Sequence, residues 1–124
     1  MKGYRDLLVW QKAMDLAQGV YKAARQLPRE EQYRLTSQLP RAAASVPASI
    51  AEGYQRGTRK DHANFISIAR GSLAETETFV MLASRVGLLP EPKAASILDL
   101  ADEVSRMLYS LRRRLSSPPS RSDP

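Results

Sequence analysis

Three glutamates, Glu52, Glu75 and Glu77, and a single histidine, His62, are the residues of this chain whose types invite a chemical reading. Carboxylates brought together from different helices can share general-acid and general-base work, or hold a metal ion. Both uses need support from further ligands or from a base at the right spacing. His62 follows Asp61 at the start of a predicted helix, where a positive charge sits badly against the positive helix end, so it reads as a solvated helix-start residue. The absence of cysteine removes a thiolate nucleophile, a thiolate metal site and a disulfide framework, and fits a reducing compartment. Glycines 53, 57, 71 and 87 are dispersed, and none opens a Gly-Lys-Ser/Thr phosphate loop. The glutamates are therefore read as partners in structural ion pairs. The expectation is no enzyme, no cofactor and no metal, with a hydrolase or nuclease using buried carboxylates as the catalytic alternative.

Charge offers a second chemistry. Lys and Arg number 19 against 13 Asp and Glu, giving a formal charge of +6 and a pI of about 10.0. Such a balance suits contact with a polyanion. The cations gather in two places: Arg56, Arg59 and Lys60 around one connection, and Arg112, Arg113 and Arg114 near the end of the last predicted helix. These six are the candidate nucleic-acid-binding residues, and Tyr54 beside Arg56 is a candidate base-stacking ring. Each has a structural reading too: cations at a helix C-terminus stabilise its dipole, a turn can simply be solvated, and a lone tyrosine can be packing. The two clusters are expected at opposite ends of the molecule, and so not to form one patch.

The elements that must position these residues follow from apolar periodicity. Leu7, Trp10, Met14, Ala17, Tyr21 and Ala24 recur at spacings of three and four, predicting a first helix over 4–26 that stops before Leu27-Pro28. Leu39, Ala43, Val46 and Ile50 predict a second, with Thr36 as cap, Pro40 in the first turn, and Pro47 bending or dividing the helix. Gly53 and Gly57 give the freedom to leave it. Thr58-Arg59-Lys60-Asp61 has the form of a capping box for a long third helix that ends at Arg85-Val86-Gly87. That helix carries Phe65, Ile66, Ala69, Leu73, Val80 and Ala83 on one stripe, and a second strip, Ile68, Phe79, Leu82 and Val86, predicts burial over much of its circumference. Ala94, Ile97, Ala101, Val104, Leu108, Leu111 and Leu115 predict a fourth, with Pro92 in its first turn. The fold class is all-α, an antiparallel up-down-up-down four-helix bundle over residues 1–115, followed by a disordered tail over 116–124. Three helices with an irregular 29–57 are the competing arrangement. No secretory signal or membrane span is expected, and the cytoplasm is the default location.

The segment RAAASVPASIAEGYQRG, residues 41–57, is dense in small side chains that let helices approach closely. Within it Arg41, Ser45, Ser49 and Glu52 fall on one helical ribbon, matched on the third helix by Ser67, Gly71, Ser72 and Glu75. The expectation is that the ribbons meet in a polar network, with Arg41 paired to Glu75 or Glu52, within one subunit or across a subunit contact. Water-facing ribbons are the alternative.

The runs LTSQL, RAAASVPASIAEGYQRG and FISIARGSLAETET, with LLVWQKAMDLAQGVY before them, resemble the bacterial four-helix-bundle family encoded in intervening sequences of 23S rRNA genes. The similarity covers about residues 4–115. Ser49 stands where that family commonly has asparagine, and Pro40 where it has arginine or lysine. The resemblance implies an antiparallel bundle and a homopentameric ring, and suggests distant kinship with the basic, nucleic-acid-binding accessory proteins of diversity-generating retroelements. The function expected is therefore that of a non-catalytic, self-assembling bundle that binds RNA or DNA electrostatically or scaffolds a nucleic-acid enzyme. The alternative is a protein-interaction module, with no nucleic-acid role, whose third-helix apolar strip recruits a protein partner.

Overall fold

A computed structural model of the chain describes residues 3–31 and 34–118. Four α-helices run through them: α1 (Leu8–Ala24), α2 (Leu35–Gln55), α3 (Arg59–Arg85) and α4 (Glu91–Ser116). Single 3-10 turns lie at Tyr4–Asp6 and Arg29–Glu31, and there is no strand among the described residues. Each helix packs on the next and α4 closes on α1, while neither diagonal pair brings its Cα atoms within 8 Å. This is the four-cornered arrangement of an up-down-up-down bundle. The tail expected beyond 115 falls largely outside the described residues, and its first residue, Ser116, still belongs to α4.

The core is aliphatic. Leu16, Leu39, Ile50, Ile66, Leu73 and Leu108 are all but sealed from solvent, and Ala13, Ala43, Ala69, Ala83 and Ala101 let the backbones close around them. The stripes of α2 and α4 lie inward as their spacing requires. On α1 the inward face is turned part-way from the expected one: Val9, Ala13, Leu16, Val20 and Ala23 are buried together with Ala17 and Ala24 of the expected stripe, whereas Met14 and Tyr21 are 45% and 51% exposed. Both stripes satisfy three-four spacing because α1 is apolar around more than half its girth. The core takes compact aliphatic side chains, and the outward stripe keeps Trp10 and Tyr21, whose polar tips then stay near water. Of the second strip of α3, Phe79 packs partly buried against the core, while Ile68, Leu82 and Val86 turn outward, each at least 47% exposed. The expected burial around that helix does not occur because α3 meets only two neighbours.

Local signals mark the ends of α3. Thr58 Oγ1 accepts from the Asp61 amide at 3.1 Å, closing one side of the capping box. At the far end Gly87 takes φ +80. Its amide donates to Ser84 O at 3.1 Å and the Leu88 amide to Ala83 O at 2.9 Å, the paired bonds of a Schellman cap. The start of α2 departs from expectation. Arg34, not Thr36, is its N-cap; Thr36 lies inside the first turn, where its buried hydroxyl lacks a partner. Pro40 and Pro47 both sit within the helix. Each removes an amide donor, at a propensity cost of about 3 kcal/mol, yet α2 continues as one element because it is clamped along its length between α1 and α3.

Candidate nucleic-acid interface

In a bundle of alternating direction, α2 and α4 finish at the same end, where α1 and α3 begin. The expectation that the two basic clusters lie at opposite ends is corrected by this topology, and side-chain contacts show their meeting directly. The Arg59 guanidinium donates to the carbonyls of Arg114 and of Ser117, the latter at 3.3 Å. One basic residue at the start of α3 thus caps the open carbonyls at the end of α4, satisfying acceptors that the helix cannot. Arg112 reaches back to α3, its Nε donating to Ser67 Oγ at 2.8 Å and its Nη1 to Ser116 Oγ.

The six candidate cations therefore share one end with different freedom. Arg56 lies 3.7 Å from the Glu52 carboxylate and 5.0 Å over the Phe65 ring. Arg59 and Arg112 hold α3 and α4 together. Lys60 lies beside Asn64, Arg112 and Ser116 along a shallow cleft between those helices. Arg113 and Arg114 are exposed on the last turns of α4. Arg5, which sequence reasoning did not select, joins this end on the 3-10 turn preceding α1, 5.3 Å over the Tyr4 ring. Asp6, Glu52 and Asp61 are interspersed, and Glu52 is already engaged by Arg56, so the end retains an excess of positive charge.

The polar ribbons meet at one point. Ser45 Oγ and Ser72 Oγ share a hydrogen bond of 2.8 Å between α2 and α3. Ser49 is buried beside them. Arg41 and Glu75 are exposed, and Glu52 takes Arg56, four residues along its own helix, in place of Arg41. Deeper on α3, Thr76 is sealed from solvent and returns its hydroxyl to Ser72 O at 2.8 Å, so it needs no partner from another helix.

His62 is not solvated as expected. It is wedged where the end of α2 crosses the start of α3, with Tyr54 meeting its ring edge-on at 5.8 Å. Its Nε2 is buried without a partner, and this burial lowers its pKa from the ordinary 6.5. The neutral imidazole also avoids the charge that the helix start disfavours. Gly53 makes the crossing close: a Cβ there would stand 2.6 Å from Phe65 Cβ and 3.3 Å from His62 Cδ2. Gly53 thus serves approach within α2 and not escape from it, and Gly57, at φ +87, makes the turn. Tyr54 lies half-buried against His62.

The carboxylates do not converge. Glu52 is paired and Glu75 is exposed. Burial, reinforced by the nearby Asp102 carboxylate, pushes the Glu77 carboxyl above its ordinary value. Among the described residues no group of three His, Cys, Asp or Glu side chains could hold a metal ion. No helix among them is long and apolar enough to cross a membrane.

Sequence reasoning also missed Tyr109. Its ring is 51% exposed on α4, with the Arg70 and Arg113 guanidinium carbons 5.5 and 5.9 Å from its centroid. The spacing of four between Tyr109 and Arg113 was legible; the approach of Arg70 from α3 was not.

Four antiparallel helices with this basic end define a small helical-bundle protein. The profile of the 23S rRNA-intervening sequence protein family matches residues 5–110, and the chain belongs to that family. Among solved structures it is similar to a protein of unknown function from the S23 ribosomal protein family of Bacteroides thetaiotaomicron VPI-5482. The two share 25% identity and superpose with a TM-score of 0.80, over 86% of this chain and 96% of the other. No curated protein matches this chain significantly.

Proposed function

We propose that this protein is a non-catalytic, self-assembling bundle whose basic end binds the phosphate backbone of RNA or DNA, or presents it to a nucleic-acid enzyme, in the cytoplasm. The observation that carries the reading is the meeting of the two cationic clusters through Arg59 and the end of α4. Phosphate contacts release counterions, so affinity falls steeply with salt, with a log–log slope of roughly −0.7 to −0.9 per contact. The test is a salt titration of binding to mixed RNA and DNA pools. Binding that weakens with salt, with a slope reduced by about 1 for each of Lys60→Ala and Arg114→Ala, supports the reading. No binding even at low salt rejects it.

Self-assembly is supported by a groove between α1 and α2, lined by Trp10, Met14, Tyr21, Ala44, Pro47 and Ala48 and bearing no charged side chain. Copies carrying +6 each repel one another least across such a neutral face. Its occupant is read as a second copy, whose outward α3 strip offers the complementary apolar surface. Two unlike faces joined head to tail build a ring when the rotation between copies closes, and five subunits is the number that the family resemblance suggests. Light scattering tests this: an oligomer that Tyr21→Glu dissociates is expected, and a monomer at working concentration refutes it. The exposure of Ile68, Leu82 and Val86 also favours a second reading, recruitment of a different protein to α3. In that case Leu82→Glu abolishes capture of the partner while the oligomer persists.

A further inference from the structure

Above the basic end, the α3–α4 face continues as a band of hydrogen-bonding and cationic side chains around one exposed ring. Lys60, Asn64 and Ser67 rise along α3 at helical spacing, and Ser116, Arg112 and Tyr109 rise beside them on α4, against its chain direction. The Arg112–Ser67 bond fixes the register between the two rows. Tyr109 is half exposed on this face. Its two guanidinium neighbours, at 5.5 and 5.9 Å from the ring centroid, stand farther off than direct stacking contact, which is about 3.5–4 Å. The cluster thus combines a π-surface, delocalised cations and short polar side chains.

We infer that Tyr109, flanked by Arg70 and Arg113, is a stacking site for an unpaired nucleobase, making single-stranded nucleic acid the preferred ligand of this face. The inference rests on the phosphate-binding reading of the basic end and adds strand selectivity to it. A base in a duplex is already stacked on its neighbours, so it can reach an aromatic side chain only by leaving the helix, at a cost of a few kcal/mol. An unpaired base meets no such cost, and any base has a face to offer, so the site discriminates by strandedness more than by sequence. Arg70 and Arg113 then supply cations beside both the stacked base and its phosphates. Ser67, Asn64 and Lys60 continue the track toward the basic end.

The experiment compares oligo-U, oligo-dT and a mixed-sequence duplex of equal length with the full chain, by fluorescence anisotropy at low salt. Tyr109→Ala is expected to weaken both single strands about 5- to 100-fold while leaving the duplex within about twofold. Tyr109→Phe keeps the ring and is expected to retain wild-type affinity. Photocrosslinking of the wild-type protein to 5-iodouracil oligonucleotides, mapped by mass spectrometry, is expected to mark Tyr109 and needs no variant to fold. The oligo-U and oligo-dT arms separate an RNA ligand from a DNA one. Single-strand binding unaffected by Tyr109→Ala, or an equal loss on the duplex, overturns the stacking site and leaves the basic end standing. Absence of binding to all three overturns both.

Discussion

Replacing Gly53 with alanine tests how the basic end is built. Alanine is the better helix former by about 0.5–1 kcal/mol, so at an unobstructed helix position the change stabilises. At Gly53 the added Cβ would lie 2.6 Å from Phe65 Cβ, with His62 O and Cδ2 each at 3.3 Å. Carbon contacts settle near 3.5–4 Å, so the helices must separate by about 1 Å. The nearest atom is a Cβ, fixed to the α3 backbone, and no side-chain rotation relieves it. Overpacking of this kind costs about 1–3 kcal/mol, which leaves a net loss on the order of 1–2 kcal/mol after the propensity gain is subtracted. Gly19 and Gly71 supply the control, since a Cβ at either meets nothing within 4 Å. Urea and thermal unfolding should show Gly53→Ala lowering Tm by roughly 4–8 °C, with Gly71→Ala raising it by a few degrees. A Gly53→Ala variant as stable as wild type, or three alanine variants that behave alike, would refute the close crossing of α2 and α3.

Three further outcomes follow from the same contacts. A double-mutant cycle on Ser45→Ala and Ser72→Ala should return a coupling of about 0.5–1.5 kcal/mol, read from urea midpoints; additive losses would show that the hydroxyls do not meet. Native His62 binds its proton less readily than it does in the unfolded chain, so its stabilising effect is full above the ordinary pKa of 6.5, begins to fall below it, and is lost as pH falls through the lowered native pKa. The fall in Tm between about pH 7.5 and about pH 5.5 should accordingly shrink in His62→Gln, and an unchanged pH profile would count against burial of the imidazole. Arg59→Ala should speed amide exchange in the last turn of α4 with a global loss of about 1 kcal/mol or less, and Arg59→Lys should not restore protection, because an ammonium lacks the fork that spans two carbonyls.

How far each element was legible depended on how many local signals agreed. The capping box at Thr58, the glycine at 87 and the unbroken heptad of α4 each left one solution, and each is found as its sequence requires. The start of α2 was misread because Thr36 is a good cap residue in isolation, whereas Arg34 occupies the cap position. His62 and Gly53 were misread for a shared reason. Each was judged on its own helix, and the role of each comes from the crossing of two.

The amino-acid order by itself determined four amphipathic helices, an aliphatic core and an excess of positive charge, because periodicity, capping and composition act over one or two turns of chain. It did not decide which of two apolar stripes of α1 turns inward, since both have the required spacing and only competition for a filled interior separates them. Nor did it show that Arg59 meets the end of α4, that Ser45 finds Ser72, or that Arg70 stands over Tyr109. Those neighbours are far apart in sequence and come together through the direction and register of packed helices, a property of the whole bundle and of no single segment.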